Sequence, residues 1–373
     1  MAETTAYIGL GGNLGDRRSN IGRALEMLAQ TESVKLERSS EIIETEALGN
    51  EDQPRYLNAV AELKTTLSAE DLYGVLSGIE TSLGRVRQAK WSSRRIDLDL
   101  LMFGDQIIES PELTVPHRQM HLRSFVLKGL CQIARDLIHP VLKVSAGELA
   151  ARLGGLDFAL DPESPQLVSI AGIIGVGKTT LAKKLAGLLR CKVLHEPYDT
   201  NPYLPEVYAG KRELALDCQL YFLTARAEQL KPDVMGCGQL WLSDYVFDKE
   251  LIYARRLLDG RQFPLYEQIY YPFAAKVAAP VLVIYIHDSA RACLERIHDR
   301  NRPYEQQIEL PFLETLSDDY DRLFADWKTC PVIRVPKCED ADIDHLADQI
   351  KHYTIGDFVV AAPTENSNIN KSR

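Results

Sequence analysis

Two aspartates stand two residues apart in the segment R-R-I-D-L-D-L-L at residues 94–101. Side chains alternate along a β-strand, so Asp97 and Asp99 should share one face while Leu98 and Leu100 enter the core. Carboxylate oxygens suit Mg²⁺, which usually binds one or two carboxylates together with substrate phosphates. Arginines with planar, permanently charged guanidinium groups precede or flank the pair: Arg85, Arg87 and Arg94.

A metal pair beside an arginine cluster is what phosphoryl transfer requires, because that chemistry is catalysed mainly by positioning and charge neutralisation. Taken singly, each feature has a simpler interpretation, namely an edge strand with solvated aspartates or a surface arginine cluster. The combination favours a site for phosphoryl transfer.

A second set of residues begins with G-I-I-G-V-G-K-T at residues 172–179, which fits G-x-x-x-x-G-K-[ST] between a predicted strand and a predicted helix. Glycines allow backbone N–H groups to surround a phosphate at the positive end of a helix. Lys178 would add a charge between phosphates, and the Thr179 hydroxyl would bind Mg²⁺. The motif predicts phosphate contacts from its glycines and the start of the helix: Gly172, Gly175, Gly177, Lys178, Thr179 and Thr180.

Three further groups indicate what this phosphate site acts on. Glu196 follows the next predicted strand at its carboxyl end, where open α/β sheets bind ligands, and could accept a proton from a substrate hydroxyl. The predicted helix at residues 216–230 carries an amide, an aromatic ring and an arginine on one face, as a nucleobase would need: Gln219, Phe222 and Arg226. An arginine-rich segment ends another helix: Arg296, Arg300 and Arg302. An isolated glutamine is more often solvated, and a basic helix end can simply complement the helix dipole.

The elements that must position these residues change character along the chain. The first part mixes strands (6–9, 56–63, 95–103) with helices (19–30, 124–134 and one capped by Ser68). Glycine and proline without periodicity then predict a linker, after which buried strands at 167–171, 191–194, 239–242, 281–286 and 332–335 indicate a parallel sheet. We expect domains at 1–155 and 167–355, a linker at 156–166 and a disordered tail at 356–373.

Composition restricts the partners. The formal charge of −10 disfavours nucleic-acid binding, which needs a basic surface. Seven cysteines without a C-x-x-C pair fit reduced thiols rather than a disulfide framework or zinc site. With no signal-like N-terminus and no long apolar run, we expect a cytoplasmic protein that contacts neither membrane nor nucleic acid.

The N-terminal region resembles the 6-hydroxymethyl-7,8-dihydropterin pyrophosphokinase family. The resemblance rests on Y-I-G-L-G-G-N-L-G-D at 7–16, Q-P-R-Y-L-N-A at 53–59, residues 94–104, V-P-H at 115–117 and R-S-F-V-L at 123–127. It implies a ferredoxin-like α+β fold and transfer of pyrophosphate from ATP to the pterin hydroxymethyl group. It further implies roles for individual residues: Asp97 and Asp99 as Mg²⁺ ligands; Arg85, Arg87, Trp91, Arg94, His117 and Arg123 on the ATP side; Tyr56, Asn58, Phe125 and Glu80 at the pterin site.

The C-terminal region is similar to the deoxynucleoside kinase family, particularly its bacterial purine-type members. The similarity rests on the glycine loop, H-E-P at 195–197 with N-P-Y-L at 201–204, D-Y-V-F-D-K at 244–249 with L-I-Y-A at 251–254, and residues 296–305. It implies a doubly wound parallel sheet, Glu196 as the base, Gln219 on the nucleobase edge, Asp244 at the substrate and a homodimer.

Many relatives carry Asp/Glu-Arg-Ser where this chain has Asp244, Tyr245 and Val246. Two alternatives remain for this region: another small-metabolite or nucleoside-monophosphate kinase, or an ATP-binding regulatory module.

Overall fold

A computed structural model describes residues 3–47, 53–85, 93–337 and 342–355. The chain divides into two compact units, Met1–Ala159 and Leu160–Arg373, so the boundary falls inside the segment predicted as a linker. The predicted disordered tail at 356–373 lies outside the described residues. Within the described ranges, no helix has both the length and the apolar character that crossing a membrane would need.

The first unit is built around an antiparallel sheet with the order β2-β4-β1-β5, to which β3 adds by pairing with β4. The chain order β1-α1-β2-β4-α2-β5 in this sheet is the ferredoxin-like arrangement that was predicted. Its elements are β1 (Thr4–Gly12), α1 (Arg17–Gln30), β2 (Val34–Ser39), β3 (Ile43–Thr45), β4 (Tyr56–Thr65), α2 (Ala69–Ser82), β5 (Asp97–Phe103), β6 (Ile108–Glu109), β7 (Thr114–Val115), α3 (Ser124–Ala134) and α4 (Ala146–Leu153).

Both faces of this sheet are covered. One apolar cluster joins α1 and α2 to residues such as Ile8 and Leu98, and a second joins α3 and α4 to residues such as Val60 and Leu101. The helix starts follow local chemistry: the Ser68 hydroxyl accepts a hydrogen bond from the Asp71 N–H, as its predicted cap position requires. Burial on both faces explains why β5 becomes continuously apolar after its two aspartates.

The second unit is a five-stranded parallel sheet with the order β12-β11-β8-β10-β9, which confirms the predicted doubly wound arrangement. The central strands β8 and β11 are buried, and helices connect successive strands along the chain. Its elements are β8 (Gln166–Ala171), α5 (Lys178–Leu189), β9 (Lys192–Leu194), α6 (Leu204–Tyr208), α7 (Ala215–Gln229), α8 (Pro232–Met235), β10 (Leu240–Ser243), α9 (Lys249–Leu257), α10 (Gln262–Ala274), β11 (Leu282–His287), α11 (Ala290–Asp299), α12 (Leu310–Ala325), β12 (Val332–Pro336) and α13 (Ile343–Tyr353).

In this sheet β8 has β10 on one side and β11 on the other. After β8 the chain forms β9 and β10 on the first side, and it then crosses to form β11 and β12 on the second side. Ligands of open parallel sheets bind beyond the carboxyl ends of strands at such a switch point. The segments that leave β8, β9 and β10 at that edge are the glycine loop, the stretch with Glu196 and the stretch with Asp244.

Candidate active sites

A cavity of about 280 Å³ opens on the first unit beside β1, β4 and β5. Strand register explains its shape, because Gly9 pairs with Asp99 and Gly11 pairs with Asp97 across the antiparallel ladder. Directly opposite residues share a face, so the two glycines leave the space beside both carboxylates open. A Cβ at Gly11 would approach the Asn58 Oδ1 to 2.8 Å, so the side chain of Asn58 also depends on this glycine.

Asp97 is held by two arginines. Its Oδ1 lies 2.7 Å from the Arg85 Nη2 and its Oδ2 lies 2.5 Å from the Arg94 Nη1. Arg85 also pairs with Glu80, whose Oε1 accepts a hydrogen bond from the Leu98 N–H at 2.6 Å. Glu80 is buried and does not line the cavity. It holds Arg85 through the ion pair and β5 through the hydrogen bond from Leu98.

Asp99 lines the cavity and is exposed to it, while the protein atoms around the cavity replace part of the water that would solvate its charge. This desolvation, followed by repulsion from Asp97, raises the pKa of Asp99 to about 7, against the opposing attraction of nearby arginines. Two adjacent carboxylates of this kind attract a cation. Among the described residues, no cluster of three or more His, Cys, Asp or Glu side chains could hold a metal ion, so a metal bound by Asp97 and Asp99 would complete its coordination with oxygens of substrate or water.

Asn13, to which the sequence analysis gave no role, fixes Arg94. The Asn13 Oδ1 accepts a hydrogen bond from the Arg94 N–H at 2.8 Å, and the Asn13 N–H donates to the Arg94 carbonyl at 2.9 Å. Its Nδ2 donates to the Pro54 carbonyl and to the Ser93 hydroxyl, both at 3.2 Å. The side chain is buried and joins three segments that are distant in sequence. In the sequence, the only sign of this role was the position of Asn13 between Gly12 and Gly15 at the end of a predicted strand.

Most of the remaining predicted residues of this unit line the same cavity. Tyr56, Asn58 and Phe125 line it, and the Asn58 Nδ2 donates to the Thr45 hydroxyl at 2.8 Å. His117 and Arg123 line it as well. Burial, then the charge of Arg123, lowers the pKa of His117, which favours the neutral imidazole. The predicted residues Arg87 and Trp91 lie outside the described residues.

In the second unit the glycine loop has the conformation that its sequence predicts. Gly172, Gly175 and Gly177 have φ of 143°, 83° and 99°, in the region that favours glycine. A Cβ at Gly175 would lie 2.4 Å from the Cys293 carbonyl oxygen, so the loop also packs too closely for a side chain there. The Lys178 Nζ donates to the carbonyls of Gly172 and Ile173 at 2.9 Å each.

Asp244, at the carboxyl end of β10, joins the loop to the stretch after β9. Its Oδ2 accepts a hydrogen bond from the Thr179 hydroxyl at 2.7 Å, and the His195 Nδ1 lies 3.2 Å from the same oxygen. Its Oδ1 accepts the Glu196 N–H at 2.8 Å. Asp244 is buried, and through these hydrogen bonds it holds the glycine loop and the stretch after β9 together at the cavity.

Glu196 contacts two buried cations. Its Oε1 lies 2.6 Å from the Lys249 Nζ and also pairs with the Arg226 Nη2. Burial alone would raise the pKa of Glu196, but Lys249, Arg226 and Lys178 outweigh it and hold the pKa well below its ordinary value. The carboxylate is therefore ionised across the physiological range. Lys249 had no predicted role.

Arg226, on the predicted face of α7, forms ion pairs with two carboxylates. It bridges Glu196 to Glu250, which is fully buried and also accepts a hydrogen bond from the Tyr266 hydroxyl. The guanidinium lies 4.3 Å from the centre of the Phe222 ring. Glu250 and Tyr266 were missed because only the fold brings α9 and α10 against α7.

Gln219, Phe222 and Arg226 all line one cavity of about 200 Å³, which confirms their common face. Gln219 is only 2% exposed, and its Oε1 has no hydrogen-bond partner among the described residues. A buried amide oxygen of this kind suits a donor on a ligand. The same cavity is lined from the loop side by Ile174, Gly175, Gly177, Lys178, Thr179 and Thr180.

The three predicted arginines, one in the last turn of α11 and two just after this helix, have different positions in the structure. Arg300 and Arg302 line the cavity, and both pair with Glu305. Arg302 also lies 4.2 Å from the centre of the Tyr198 ring. Arg296 is not a cavity residue; it pairs with Asp288 and donates to the Gly175 carbonyl at 3.2 Å, so it supports the loop from behind.

The comparisons with known proteins match each unit separately. The family model for 7,8-dihydro-6-hydroxymethylpterin-pyrophosphokinase matches residues 7–135, and the deoxynucleoside kinase model matches residues 168–354. A 2-amino-4-hydroxy-6-hydroxymethyldihydropteridine pyrophosphokinase of Haemophilus influenzae is 43% identical over 136 residues, which are 36% of this chain and 85% of that protein. The Bacillus subtilis protein of the same name is 41% identical over 132 residues, 35% of this chain and 79% of that protein.

Solved structures resemble half of this chain. A deoxyadenosine kinase from M. mycoides with bound dATP has 24% sequence identity and a TM-score of 0.43, covering 50% of this chain and 96% of that one. The same kinase with dCMP and dCDP has 24% identity and a TM-score of 0.41 at the same coverage.

Proposed function

We propose that each of the two cavities catalyses the reaction of the family to which its unit belongs. The first unit of the chain belongs to the 7,8-dihydro-6-hydroxymethylpterin-pyrophosphokinase family, and the second unit belongs to the deoxynucleoside kinase family. The protein is thus a fused pterin pyrophosphokinase and deoxynucleoside kinase, with ATP as the common co-substrate.

In the first unit, the single observation that carries the proposal is the pair of carboxylates facing an open cavity beside two fixed arginines. Asp97 and Asp99 would hold Mg²⁺, which supplies charge neutralisation to the ATP phosphates when bound; two carboxylates plus phosphate oxygens fit its usual ligand set. Arg85 and Arg94 neutralise charge as the pyrophosphoryl group moves. His117 and Arg123 bind on the ATP side.

The same cavity also has a lining that suits a flat heterocycle. Tyr56 and Phe125 provide aromatic surface, and Asn58, fixed by the Thr45 hydroxyl, offers an amide to the polar edge of the pterin. The hydroxymethyl oxygen of the pterin would then face Asp97, Asp99 and the arginines. Glu80 acts only through Arg85 and β5.

In the second unit, the observation that carries the proposal is the carboxylate of Glu196 in one cavity with the glycine loop and with Gln219, whose Oε1 has no hydrogen-bond partner in the described part of the chain. The loop and Lys178 bind the ATP phosphates, with Thr179 as a ligand for Mg²⁺. Glu196 accepts the proton of the nucleoside 5′-hydroxyl, and Arg300 and Arg302 neutralise the transferred group. Gln219 and Phe222 bind the nucleobase, with Asp244 fixing the segments around it.

The proposed setting is a cytoplasmic protein that acts on small molecules, without nucleic acid or membrane partners, and that forms a homodimer through its kinase unit. The boundaries 1–155, 156–166 and 167–355 remain the proposed domain limits. The net charge of −10 supports small-molecule rather than nucleic-acid substrates.

A product assay tests both halves. The purified chain receives ATP and Mg²⁺ with the dihydropterin alcohol or with each of the four deoxynucleosides, and products are separated chromatographically. We expect AMP from the pterin and ADP from at least one deoxynucleoside. Pterin turnover without any nucleoside turnover would reject the proposal for the second unit and favour a regulatory module or a different kinase.

A further inference from the structure

Lys249 occupies an unusual position for a lysine. It is the first residue of α9, only 3% exposed, and its ammonium group lies 2.6 Å from the Glu196 Oε1. Burying an ammonium is costly unless an anion accompanies it. Glu196, however, already pairs with Arg226, so the charge of this carboxylate is shared between two cations.

The cavity around Lys249 contains a further cation on the phosphate side. Lys249 lines the same cavity as Lys178 and the glycine loop. Two ammonium groups that border one cavity repel each other through this space. An anion placed between them would relieve that repulsion, and the anion that passes there in the proposed reaction is the γ-phosphoryl group.

We infer that Lys249 is a catalytic residue of the nucleoside kinase reaction, whose ammonium group is shared between the Glu196 carboxylate and the phosphoryl group in transfer. The inference rests on the proposed function of this cavity. Neither the sequence analysis nor the comparisons assign a role to this lysine.

In the step, the nucleoside 5′-oxygen forms a bond to the γ-phosphorus while the bond from that phosphorus to the β–γ bridging oxygen breaks. The bridging oxygen keeps the bonding electrons and leaves as part of ADP. The 5′-hydroxyl proton passes to Glu196, which removes negative charge from that carboxylate as negative charge builds on the transferred oxygens. Lys249 therefore gains its anionic partner on the phosphoryl side as it loses the one on Glu196.

Arg226 is not equivalent to Lys249. Its guanidinium is also tied to the fully buried Glu250, which is held in turn by the Tyr266 hydroxyl. Arg226 therefore stays in place when Glu196 becomes protonated, whereas the only ion pair of Lys249 within the described residues is with Glu196.

The test compares steady-state kinetics of Lys249→Met, Lys249→Arg and the wild type with the preferred deoxynucleoside. Lys249→Met should lower kcat by about 100-fold or more, the size expected for a lost transition-state charge contact, and should change the nucleoside KM by less than about threefold. Lys249→Arg should recover at least part of the lost kcat. Lys231→Met, at an exposed lysine of the same unit, is the matched control and should behave as the wild type.

Pterin turnover by each variant checks that equal amounts of competent chain are compared. A kcat for Lys249→Met within threefold of the wild type, or an effect confined to KM, overturns the inference while leaving the proposed function intact. If Lys249→Met does not fold, Lys249→Arg decides: a loss as large as complete inactivation would then contradict a role based on charge. A wild type that turns over no deoxynucleoside overturns the proposed function and this inference together.

Discussion

The Asp157 carboxylate accepts a hydrogen bond from the backbone N–H of Ser124, the first residue of α3. The N-cap residue of α3, Arg123, makes no capping hydrogen bond with its side chain. The helix is therefore capped by a residue that lies 33 positions after Ser124 in the sequence. The neighbouring Phe158 N–H donates to the Leu122 carbonyl at 3.1 Å. Since Arg123 lies between Leu122 and Ser124, this short segment holds both sides of a cavity arginine.

Asp157→Ala should therefore weaken the pterin reaction. Loss of an N-cap costs about 1 kcal/mol, and a carboxylate that favours the charged form of Arg123 is removed as well. We expect a lower melting temperature of the first unit and a higher KM for ATP, with nucleoside turnover unchanged. Asp161→Ala, an exposed residue of the same predicted linker, is the control. Equal KM values for ATP in the two variants would contradict the prediction.

Asn13→Ala should damage the first site more severely. The substitution leaves the Arg94 N–H without its side-chain acceptor, and an unsatisfied buried donor costs about 1–3 kcal/mol. Because Arg94 also contacts Asp97, its displacement should reduce pterin kcat/KM by tenfold or more, as small misplacements of catalytic groups do. Asn20→Ala removes a half-buried side chain whose hydrogen bonds, at 3.3 and 3.2 Å, are longer than that from the Arg94 N–H to Asn13, and should lose less than threefold. Similar losses in both variants would show that Asn13 has no special role.

Most regular elements were predictable because their signals are local. Alternation placed Asp97 and Asp99 on one face, and the glycine motif located the loop before α5. The helix 124–134 begins and ends as its periodicity predicted. The strands β2 and β3 were missed, since β2 is largely exposed and reads as polar and β3 has only three residues.

The contacts that complete each site were not predictable in the same way. Lys249, Glu250 and Tyr266 are separated from Glu196 by 53 residues or more, and they contact one another and Arg226 only when α7, α9 and α10 pack together. Asn13 bonds to residues 40 to 81 positions away. A local pattern identifies a residue that could do chemistry, whereas its partners depend on tertiary contacts.

The two reactions should be separable by substitution. Asp97→Ala removes a carboxylate of the first cavity and should reduce pterin turnover by about 100-fold or more, with nucleoside turnover unchanged. Lys178→Ala should do the reverse, because its ammonium group belongs to the second cavity alone. Each variant is assayed for AMP and ADP formation, so that the unaffected reaction reports on the amount of intact protein. Loss of both activities from either substitution would reveal coupling between the units.

Because of the ion pairs of Glu196, the free energy of unfolding of the second unit should decrease as the pH is lowered. Its pKa in the folded chain lies below the value of about 4.3 that an unfolded glutamate has, since Lys249, Arg226 and Lys178 outweigh the effect of burial. The contribution of the ionised carboxylate is therefore complete above the unfolded pKa and is lost as the pH falls towards the folded one.

Glu196→Gln removes that contribution and leaves Lys249 without its anion, at a cost of about 3 kcal/mol near pH 7. In urea unfolding followed by tryptophan fluorescence, the difference in unfolding free energy between wild type and variant should stay constant from pH 7 to 5. It should then shrink as the pH is lowered from about 4 towards 3, because protons come to occupy the unfolded glutamate first. Glu314→Gln, at an exposed position on α12, should show no such difference. A difference that grows on acidification would mean that the pKa of Glu196 is raised rather than lowered in the folded chain.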